Sequence, residues 1–393
     1  EVEKQIYVNL ASLDGGATQT VVKNSSRAQY VPAGSAGGPG YLLYVRDGSL
    51  MAQPFDDRTL RTVGEPIPTG QEVWQHAMTG TGAFSASNNG VLASRSHPSP
   101  ARLVWLDRAG HETGSVESPG GFDSVNLSSD SRRFLVTKIV PRTGIHEIWI
   151  GDVSRSVLTK LDLGDEEYER PVWSPDGNRL ALALGSLRHP PVLALASLRG
   201  RGVPEEILPP ETLQYAQAWS PDGRFLLYTI RSGAQTGLWV TNADGERKPR
   251  LFLTGAFLDA VPYAQFSPDG RWIAFCLAES GRSEVFMTAF PEPGERVRVS
   301  TDGGSRPRWR RDGREIFYIS RDNEMIAAQI RLTSEAEIGA PQRLFRLDPA
   351  GSQDYDVTGD GQRFLAVVNV PAPEADVITV TVNWPSRLLP PKQ

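Results

Sequence analysis

The residues best suited to catalysis or to metal binding are spread thinly along the chain. HETGS (111–115) and HEIWI (146–150) begin like the helical zinc motif, but they lack its second histidine and show no helical periodicity. Outside such a motif we expect surface-loop histidines, and this applies to His76, His97, His111, His146 and His189. The sequence therefore predicts no metal site and no cofactor.

Motifs for nucleophilic and nucleotide chemistry are missing as well. No GxSxG elbow and no kinase catalytic loop occurs in the sequence. The glycine cluster GSAGGPG (34–40) is not followed by a helical pattern, so we interpret it as a loop between strands. The single cysteine, Cys276, cannot form an internal disulfide and lies in the apolar run WIAFCL, where we predict a buried small side chain.

Two acidic clusters could supply the paired carboxylates of glycosidic chemistry. They are GDEEYER, with Asp165, Glu166, Glu167 and Glu169, and QDYDV, with Asp354 and Asp356. Asp356 and Asp360 could also bind calcium, but their spacing fits no known loop ligand set. We predict that these residues keep turns and loops soluble.

A repeated stretch organises the rest of the chain. AWSPDGRFLLYTI (218–230) has near copies at 172–184 and 265–277, and looser copies at 126–138, 308–320 and 356–368. The turn aspartates follow one another at intervals of 46, 46, 47, 43 and 48 residues: Asp130, Asp176, Asp222, Asp269, Asp312 and Asp360. Such a period indicates one supersecondary unit used many times.

Each repeat contains strand and turn signals only. In Pro221-Asp222-Gly223, proline presets φ, aspartate bonds the following backbone and glycine accepts a positive φ, so a hairpin turn is predicted. Four short apolar runs per repeat predict a four-stranded antiparallel sheet. An aromatic residue lies three positions before the turn aspartate and is expected to fill the gap between stacked sheets. These residues are Trp173, Trp219, Phe266 and Trp309.

Closed radial stacking of such sheets is an all-β β-propeller. We predict one domain over 1–393 with eight blades, closed by N-terminal strands (1–27) that pair with the last blade. Seven blades, or six regular blades with two degenerate units splayed or separate, remain open alternatives. The predicted blades are 28–75, 76–119, 120–166, 167–212, 213–258, 259–303, 304–350 and 351–393.

Tyrosine and arginine recur in the segments that lead into the first strand of each repeat. These segments lie on the rim opposite the Asp-Gly turns, around the predicted channel mouth. Tyrosine and arginine are favoured in binding surfaces, although each tyrosine could instead pack against the neighbouring blade. The candidate binding residues are Tyr168, Arg170, Tyr215, Gln217, Tyr263, Gln265, Arg306, Arg308 and Tyr355.

Composition limits the classes of partner. The chain has 393 residues with a net charge of −5, which argues against a nucleic-acid groove. No apolar stretch approaches the roughly 20 residues that span a bilayer. The first residues, EVEKQIYVNL, do not have the pattern of a signal peptide.

The repeated [WF]SPDG followed by an apolar strand resembles the TolB-like propeller repeats of bacterial envelope proteins. GYLLYVRDGSLMAQPFD (40–56), LVWLDRAG (103–110) and ITVTVNW (378–384) resemble the extracytoplasmic propeller of certain bacterial transmembrane serine/threonine kinases. The resemblance implies an extracytoplasmic location and a tether through an upstream membrane helix. It carries no kinase residue over to this chain, because none of the kinase motifs is present.

Three functions are compatible with these patterns. The first is a non-catalytic module that binds a protein, peptide or glycan at the channel mouth, as the sensor or interaction part of an envelope protein. The second is a propeller-type glycan lyase or hydrolase, or the propeller half of a peptidase. The third is a structural scaffold. The missing nucleophile motif and the scattered histidines favour the first.

Overall fold

The computed structural model describes the chain almost entirely as antiparallel strands. The described residues are 7–11, 18–23, 26–32, 39–76, 80–96, 101–140, 145–155, 157–164, 166–186, 189–200, 203–210, 212–231, 236–255, 263–279, 281–332, 336–347, 352–369 and 378–388. Within these ranges the only helical element is a 3₁₀ turn, Trp384–Arg387. Among the described residues, no helix has the length and apolar character needed to cross a membrane.

The chain divides into two compact units. Unit 1 comprises residues 1–100, 139–145 and 371–393, and unit 2 comprises residues 101–138 and 146–370. The strands of the first hundred residues are β1 (Tyr7–Leu10), β2 (Gln19–Lys23), β3 (Gln29–Val31), β4 (Gly40–Arg46), β5 (Ser49–Asp56), β6 (Arg61–Thr62), β7 (Ile67–Glu72), β8 (Gln75–His76), β9 (Thr81–Gly82), β10 (Phe84–Ala86) and β11 (Val91–Ser94).

Unit 2 carries the regular repeats. Its strands are β12 (Ala101–Asp107), β13 (Glu112–Leu127), β14 (Arg133–Ile139), β15 (His146–Asp152), β16 (Leu158–Lys160), β17 (Glu167–Trp173), β18 (Arg179–Ser186), β19 (His189–Ser197), β20 (Glu205–Glu206), β21 (Leu213–Trp219), β22 (Phe225–Arg231), β23 (Gly237–Asn242), β24 (Arg250–Thr254), β25 (Gln265–Phe266), β26 (Trp272–Glu279), β27 (Arg282–Ala289), β28 (Val297–Arg298), β29 (Ser305–Trp309), β30 (Glu315–Ile319), β31 (Glu324–Leu332), β32 (Ala336–Ile338), β33 (Gln342–Arg346), β34 (Ser352–Val357) and β35 (Arg363–Asn369). The last strand of the chain, β36 (Thr379–Val382), belongs to unit 1.

Sheet topology confirms the predicted all-β propeller fold with four-stranded antiparallel sheets. Strands β17 to β20, β21 to β24 and β25 to β28 each form one four-stranded sheet in chain order, and β29 to β31 continue with β32 and β33 both paired to β31. The remaining sheet has seven strands in the order β16-β15-β14-β13-β12-β35-β34. Its long strand β13 pairs with β12 through its first half and neighbours β14 on the other side. The sheet thus holds two four-stranded blocks that share β13. The eight-blade division of the whole chain stays a prediction.

In unit 1, β3 to β6 form a sheet with β7 also paired to β5, and β10, β11 and β36 form a three-stranded sheet. Strands β1 and β2 pair with each other, as do β8 and β9.

The closure of the ring differs from the prediction. The sequence predicts that N-terminal strands complete the last blade, but β35 pairs with β12, with Leu103 opposite Val367 and Trp105 opposite Leu365. Strand β36, predicted as part of the last blade, pairs with β11 instead. The reason is burial, because a strand between two others in a stacked sheet needs apolar residues on both faces. ARLVWLD in β12 is buried almost throughout, whereas β1 alternates between exposed and half-buried residues.

Packing between sheets follows the repeated aromatics, as predicted. Trp173, Trp219, Phe266 and Trp309 are 5–7% exposed. Trp219 packs with Leu193 and Leu195 of the preceding sheet, and Phe266 packs with Leu227 and Val240 of the sheet before it. Each aromatic therefore fills the space between its own sheet and the previous one.

The repeated turn is held by a side-chain bracket. The Ser174 hydroxyl donates to Asp176 Oδ1 at 2.6 Å and accepts from the Arg179 N–H at 2.9 Å, while Gly177 has a φ of 65°. The same serine- or threonine-to-aspartate bond occurs at Asp130, Asp222, Asp269 and Asp360. The serine hydroxyl thus bonds both sides of the turn, and the aspartate carboxylate also accepts a backbone N–H, which in this repeat comes from Asn178.

This bracket predicts acid sensitivity. Bonds from the Ser174 hydroxyl, the Asn178 amide and the Asn178 N–H lower the pKa of Asp176 from 3.8 to about 2. Because the folded-state pKa is depressed, the stabilisation is fully present above the unfolded value and is lost as pH falls through the folded one. We expect the free energy of unfolding to fall between about pH 4 and pH 2. We also expect Asp176→Asn to make this fall less steep.

Urea denaturation at pH 4, 3 and 2, followed by tryptophan fluorescence, measures this effect. Glu205→Gln on the exposed strand β20 is the matched control for loss of one carboxylate. An Asp176→Asn variant with the same pH slope as the wild-type protein would contradict the assignment.

Candidate ligand-binding cavity

A cavity of about 520 Å³ lies within unit 2. Its wall is built by residues from the first strand of each of six sheet blocks, or from just beside it: β13, β17, β21, β25, β29 and β34. The polar side chains on this wall include Ser124, Asn126, Arg170, Gln217, Tyr263, Gln265, Arg308, Arg311, Asp354 and Asp356. Six repeats therefore bring equivalent positions to one concave surface.

Three residues at equivalent repeat positions have a left-handed backbone. Arg170, Tyr263 and Arg306 have φ values of 51°, 45° and 53°, and each precedes its turn aspartate by six residues. The strand register shifts between Glu169 and Val172 and again between Ser305 and Arg308. A non-glycine residue in this conformation costs about 1–3 kcal/mol and is concentrated at functional sites. A bulge re-aims the side chain that it carries.

The re-aimed side chains meet at one aromatic ring. The guanidinium carbon of Arg306 lies 4.8 Å from the ring centroid of Tyr263, and that of Arg170 lies 5.8 Å from it. Both distances fall within the reach of cation–π attraction. Two cations and a phenol ring thus form a cluster, the Arg170–Tyr263–Arg306 cluster. Tyr263 and Arg306 come from consecutive repeats, and Arg170 comes from the repeat two before that of Tyr263.

Two aspartates balance a third arginine beside this cluster. Arg308 Nη2 lies 3.4 Å from Asp354 Oδ1, and Arg308 Nε lies 3.5 Å from Asp356 Oδ1. Burial would lower the pKa of Arg308, but Asp354 and Asp356 raise it above its ordinary value. Arg308 is therefore a permanent cation on the cavity wall.

The same aspartates also join two strands. Asp354 Oδ2 accepts the Val125 N–H at 3.1 Å, and Asp356 Oδ2 accepts the Leu127 N–H at 2.7 Å. Asp354 and Asp356 are 7% and 6% exposed. The prediction of solvated loop carboxylates is wrong for this pair, because β34 buries them against β13 where the backbone N–H groups need acceptors.

The two predicted glutamines connect neighbouring sheets. Gln265 Oε1 accepts the Trp309 N–H at 2.8 Å, and Gln217 Oε1 accepts the Ala264 N–H at 3.3 Å. Both line the cavity. Their main contacts are with the next inner strand, so they set the spacing of the wall.

The predicted tyrosines separate into two groups. Tyr168 and Tyr355 are 4% and 0% exposed, and their hydroxyls donate to the carbonyl oxygens of Leu163 and Arg306. Tyr263 lines the cavity, and Tyr215 on β21 is half-buried outside its lining. Packing accounts for the first two tyrosines, while Tyr263 faces the space where a ligand would lie.

A buried polar triad lies near this wall and was not predicted. His146 Nδ1 is 2.8 Å from Glu167 Oε1 and 3.8 Å from Glu169 Oε1. Burial would lower the pKa of His146, but the bond to Glu167 and the neighbouring carboxylates raise it overall. Burial also raises the pKa of Glu169.

The expectation that His146, Glu167 and Glu169 lie in solvated loops is therefore wrong. His146 begins β15, and the two glutamates lie on β17 of the next sheet. His111 is exposed as predicted, with its ring beside Asp107. Cys276 is buried as predicted, and burial raises its thiol pKa to about 12. His97, Asp165 and residues 34–38 of the glycine cluster lie outside the described residues.

Comparison with known proteins agrees with this architecture. Residues 171–340 match the family model described as TolB beta propeller domain. The structure is similar to a TolB structure from Agrobacterium tumefaciens, with a TM-score of 0.55, 18% identity, and coverage of 70% of this chain and 100% of that one. TolB from Acinetobacter baumannii has a TM-score of 0.46 and 15% identity, covering 86% of this chain and 78% of its own. Kuenenia stuttgartiensis hydrazine synthase has a TM-score of 0.47 and 12% identity, with coverage of 91% of this chain and 95% of its own.

The repeat region thus has a β-propeller fold, and residues 171–340 within it resemble the TolB beta propeller domain. At 18% identity the similarity to the Agrobacterium structure describes the fold alone, because one fold hosts many functions. Function has to be argued from the cavity.

Proposed function

We propose that unit 2 is a non-catalytic binding domain that holds a segment of a partner protein or a peptide in its cavity. The observation that carries the proposal is the Arg170–Tyr263–Arg306 cluster. Three non-glycine residues keep an unfavourable backbone at equivalent positions, and their side chains converge on one ring. Arginine and tyrosine dominate the energetics of protein interfaces.

The charges of the cavity suggest the chemistry of the ligand. The charged side chains of the lining are Arg170, Arg308 and Arg311 against Asp354 and Asp356, and Arg306 lies beside them with its Nε 3.7 Å from Asp354 Oδ1. A segment that carries a carboxylate fits this balance, since arginine binds carboxylates with paired N–H donors.

A protein segment fits better than a glycan at this position. A sugar would stack on the face of Tyr263, but two guanidinium groups already lie near that ring, at 4.8 and 5.8 Å. Tyr168 and Tyr355 are buried and offer no second platform. A carboxylate ligand could approach the arginines without displacing either from the ring.

We further propose that the chain is the extracytoplasmic sensor or interaction region of a bacterial envelope protein. Support comes from the TolB-like match over residues 171–340 and from the sequence resemblance of 40–56, 103–110 and 378–384 to kinase-associated propellers. In this proposal the partner is bound outside the cytoplasm and the signal passes through a membrane helix elsewhere in the protein. The gene sequence upstream of Glu1 tests this part directly, because it requires an encoded membrane helix.

A peptide selection tests the binding function. Random twelve-residue peptides displayed on phage would be selected on the immobilised chain, and the dissociation constant of the best peptide measured by fluorescence anisotropy. We expect Arg306→Ala to weaken binding by about 30-fold, since truncating a central interface arginine costs about 2 kcal/mol or more.

Arg282→Ala is the matched control, because it removes the same charge from an exposed arginine at the start of β27. Its dissociation constant is expected to stay within about twofold of the wild-type value. Failure to select any peptide, or equal binding by the wild-type chain and Arg306→Ala, would refute the Arg170–Tyr263–Arg306 cluster as the binding site.

A further inference from the structure

We propose that His146, Glu167 and Glu169 form a binding site for one divalent transition-metal ion. The candidate ligand atoms are one imidazole nitrogen and one oxygen from each carboxylate, and all lie within 4.8 Å of one another. The sequence predicts no such site, because His146 is separated from the glutamates by about twenty residues and follows no metal motif. The fold brings the three together.

Strand geometry explains the convergence. Glu167 and Glu169 are two positions apart on β17 and therefore project from the same face of the strand. His146 is the first residue of β15, in the sheet that precedes β17. The three side chains meet between two neighbouring sheets, and an ion held there would join them.

The distances between the candidate ligand atoms fit a tetrahedral ion after small shifts of the side chains. Zinc binds imidazole nitrogen and carboxylate oxygen at about 2.0–2.2 Å, so two ligands of a tetrahedral ion lie about 3.3 Å apart. His146 Nδ1 is 2.8 Å from Glu167 Oε1 and 3.8 Å from Glu169 Oε1. Shifts of about half an ångström in these two separations would reach the tetrahedral value.

Burial and charge favour a cation over an empty cluster. The side chains of His146, Glu167 and Glu169 are 5%, 6% and 15% exposed. A metal ion would add to the positive charge that His146 and Arg170 supply to these two carboxylates, and a buried charge is stabilised by compensation. Arg170 follows Glu169 directly, and its side chain also lies over Tyr263. Its positive charge is therefore shared between the cavity and the triad.

The donor set indicates the class of metal. One imidazole and two carboxylates suit Zn²⁺, Mn²⁺ or Co²⁺. Calcium prefers six to eight oxygen ligands, and a nitrogen donor in a three-residue cluster does not match that preference. The ion would act as a structural link between the sheets that contain β15 and β17.

Calorimetric titration tests the site. The full chain is stripped with EDTA, dialysed, and titrated separately with ZnCl₂, MnCl₂ and CoCl₂. We expect one equivalent of at least one of these ions to bind saturably, and the melting temperature to rise with its concentration. Bound Co²⁺ is expected to give visible absorption bands of a four- or five-coordinate site.

Two substitutions probe the ligands, and one serves as the control. Glu169→Gln preserves the size of the side chain while removing a carboxylate, and we expect it to weaken binding at least tenfold, as does His146→Gln. His111→Ala removes a histidine that sits 3.1 Å from Asp107 on the surface, and it should leave the dissociation constant unchanged.

Glu169→Gln keeps the test decisive if the buried His146 variant fails to fold. The proposal is overturned if the wild-type chain binds none of the three ions saturably. It is equally overturned if Glu169→Gln binds the ion as tightly as the wild-type chain. Neither outcome depends on the peptide ligand of the cavity, which is assayed without metal.

Discussion

Replacing Trp219 with alanine is expected to lower the free energy of unfolding of unit 2 by about 3–5 kcal/mol, the usual range for a buried aromatic. Trp219 ends β21 and is 7% exposed. Its ring packs in the cluster between two sheets, its indole N–H donates to the Gly223 carbonyl at 3.0 Å, and the Arg179 guanidinium lies 4.9 Å from its ring. Truncation removes all three contacts and leaves a cavity.

Urea denaturation followed by far-ultraviolet circular dichroism measures the loss. Leu251→Ala is the control in the same sheet, because Leu251 lies on β24 and is 45% exposed. Its effect is expected to stay within about 0.5 kcal/mol. A loss of less than about 1 kcal/mol for Trp219→Ala would show that this aromatic does not hold the two sheets together.

The parts of the fold that depend on neighbouring residues in sequence could be predicted. The Asp-Gly turns, the four strands of each regular repeat and the burial of the aromatics all follow from residues within one repeat. Pro221-Asp222-Gly223 joins β21 to β22, and Asp222 accepts the following Arg224 N–H as predicted; the bond from Ser220 was not predicted. Local rules of turn chemistry and alternation suffice for such features.

The closure could not be predicted in the same way. Both β1 and β12 read as strands, and only the surroundings of β35 decide which one pairs with it. The burial of β12 on both faces is visible afterwards in the apolar run LVWL. Burial arises from the stacking of whole sheets, which the pattern of a single strand does not specify.

The candidate sites, like the fold, could be predicted only where residues within one repeat determine them. The composition of the rim indicated Arg170, Tyr263 and Arg308, which line the cavity. It could not distinguish them from Tyr168 and Tyr355, which are buried, because a one-residue bulge decides which side chain faces the cavity. The triad of His146, Glu167 and Glu169 has no signal in sequence, since its members come from two sheets.

A disulfide between β12 and β35 is expected to form and to stabilise unit 2 strongly. Arg102 and Val368 are opposite each other in the register, and directly opposed residues lie about 4.5–5.5 Å apart at Cα, within the range of a disulfide. In Arg102→Cys/Val368→Cys the bond would close a loop of 266 residues. The chain-entropy model then gives about 5.6 kcal/mol of stabilisation.

Oxidised and reduced forms of this double variant can be compared by mass spectrometry and urea denaturation. Losing Arg102 removes a largely exposed ion pair with Glu112, and Val368→Cys trims a buried core side chain. The reduced form should therefore be less stable than the wild-type protein by about 1 kcal/mol. Arg102→Cys alone is the control for the added thiol, and Cys276 is buried and 5% exposed. The comparison variant Val8→Cys/Val368→Cys tests the closure that the sequence predicted.

The two double variants separate the alternative closures. Both edges of β35 are occupied, by β12 and by β34, so the Val8 pair should stay reduced under conditions in which the Arg102 pair oxidises fully. A stable Val8–Val368 cross-link would instead place an N-terminal strand on the last blade, and the pairing of β12 with β35 would be wrong. Because the six inner strands that line the cavity can enclose it only if their sheets are joined end to end, this result also decides whether the Arg170–Tyr263–Arg306 cluster faces an enclosed space.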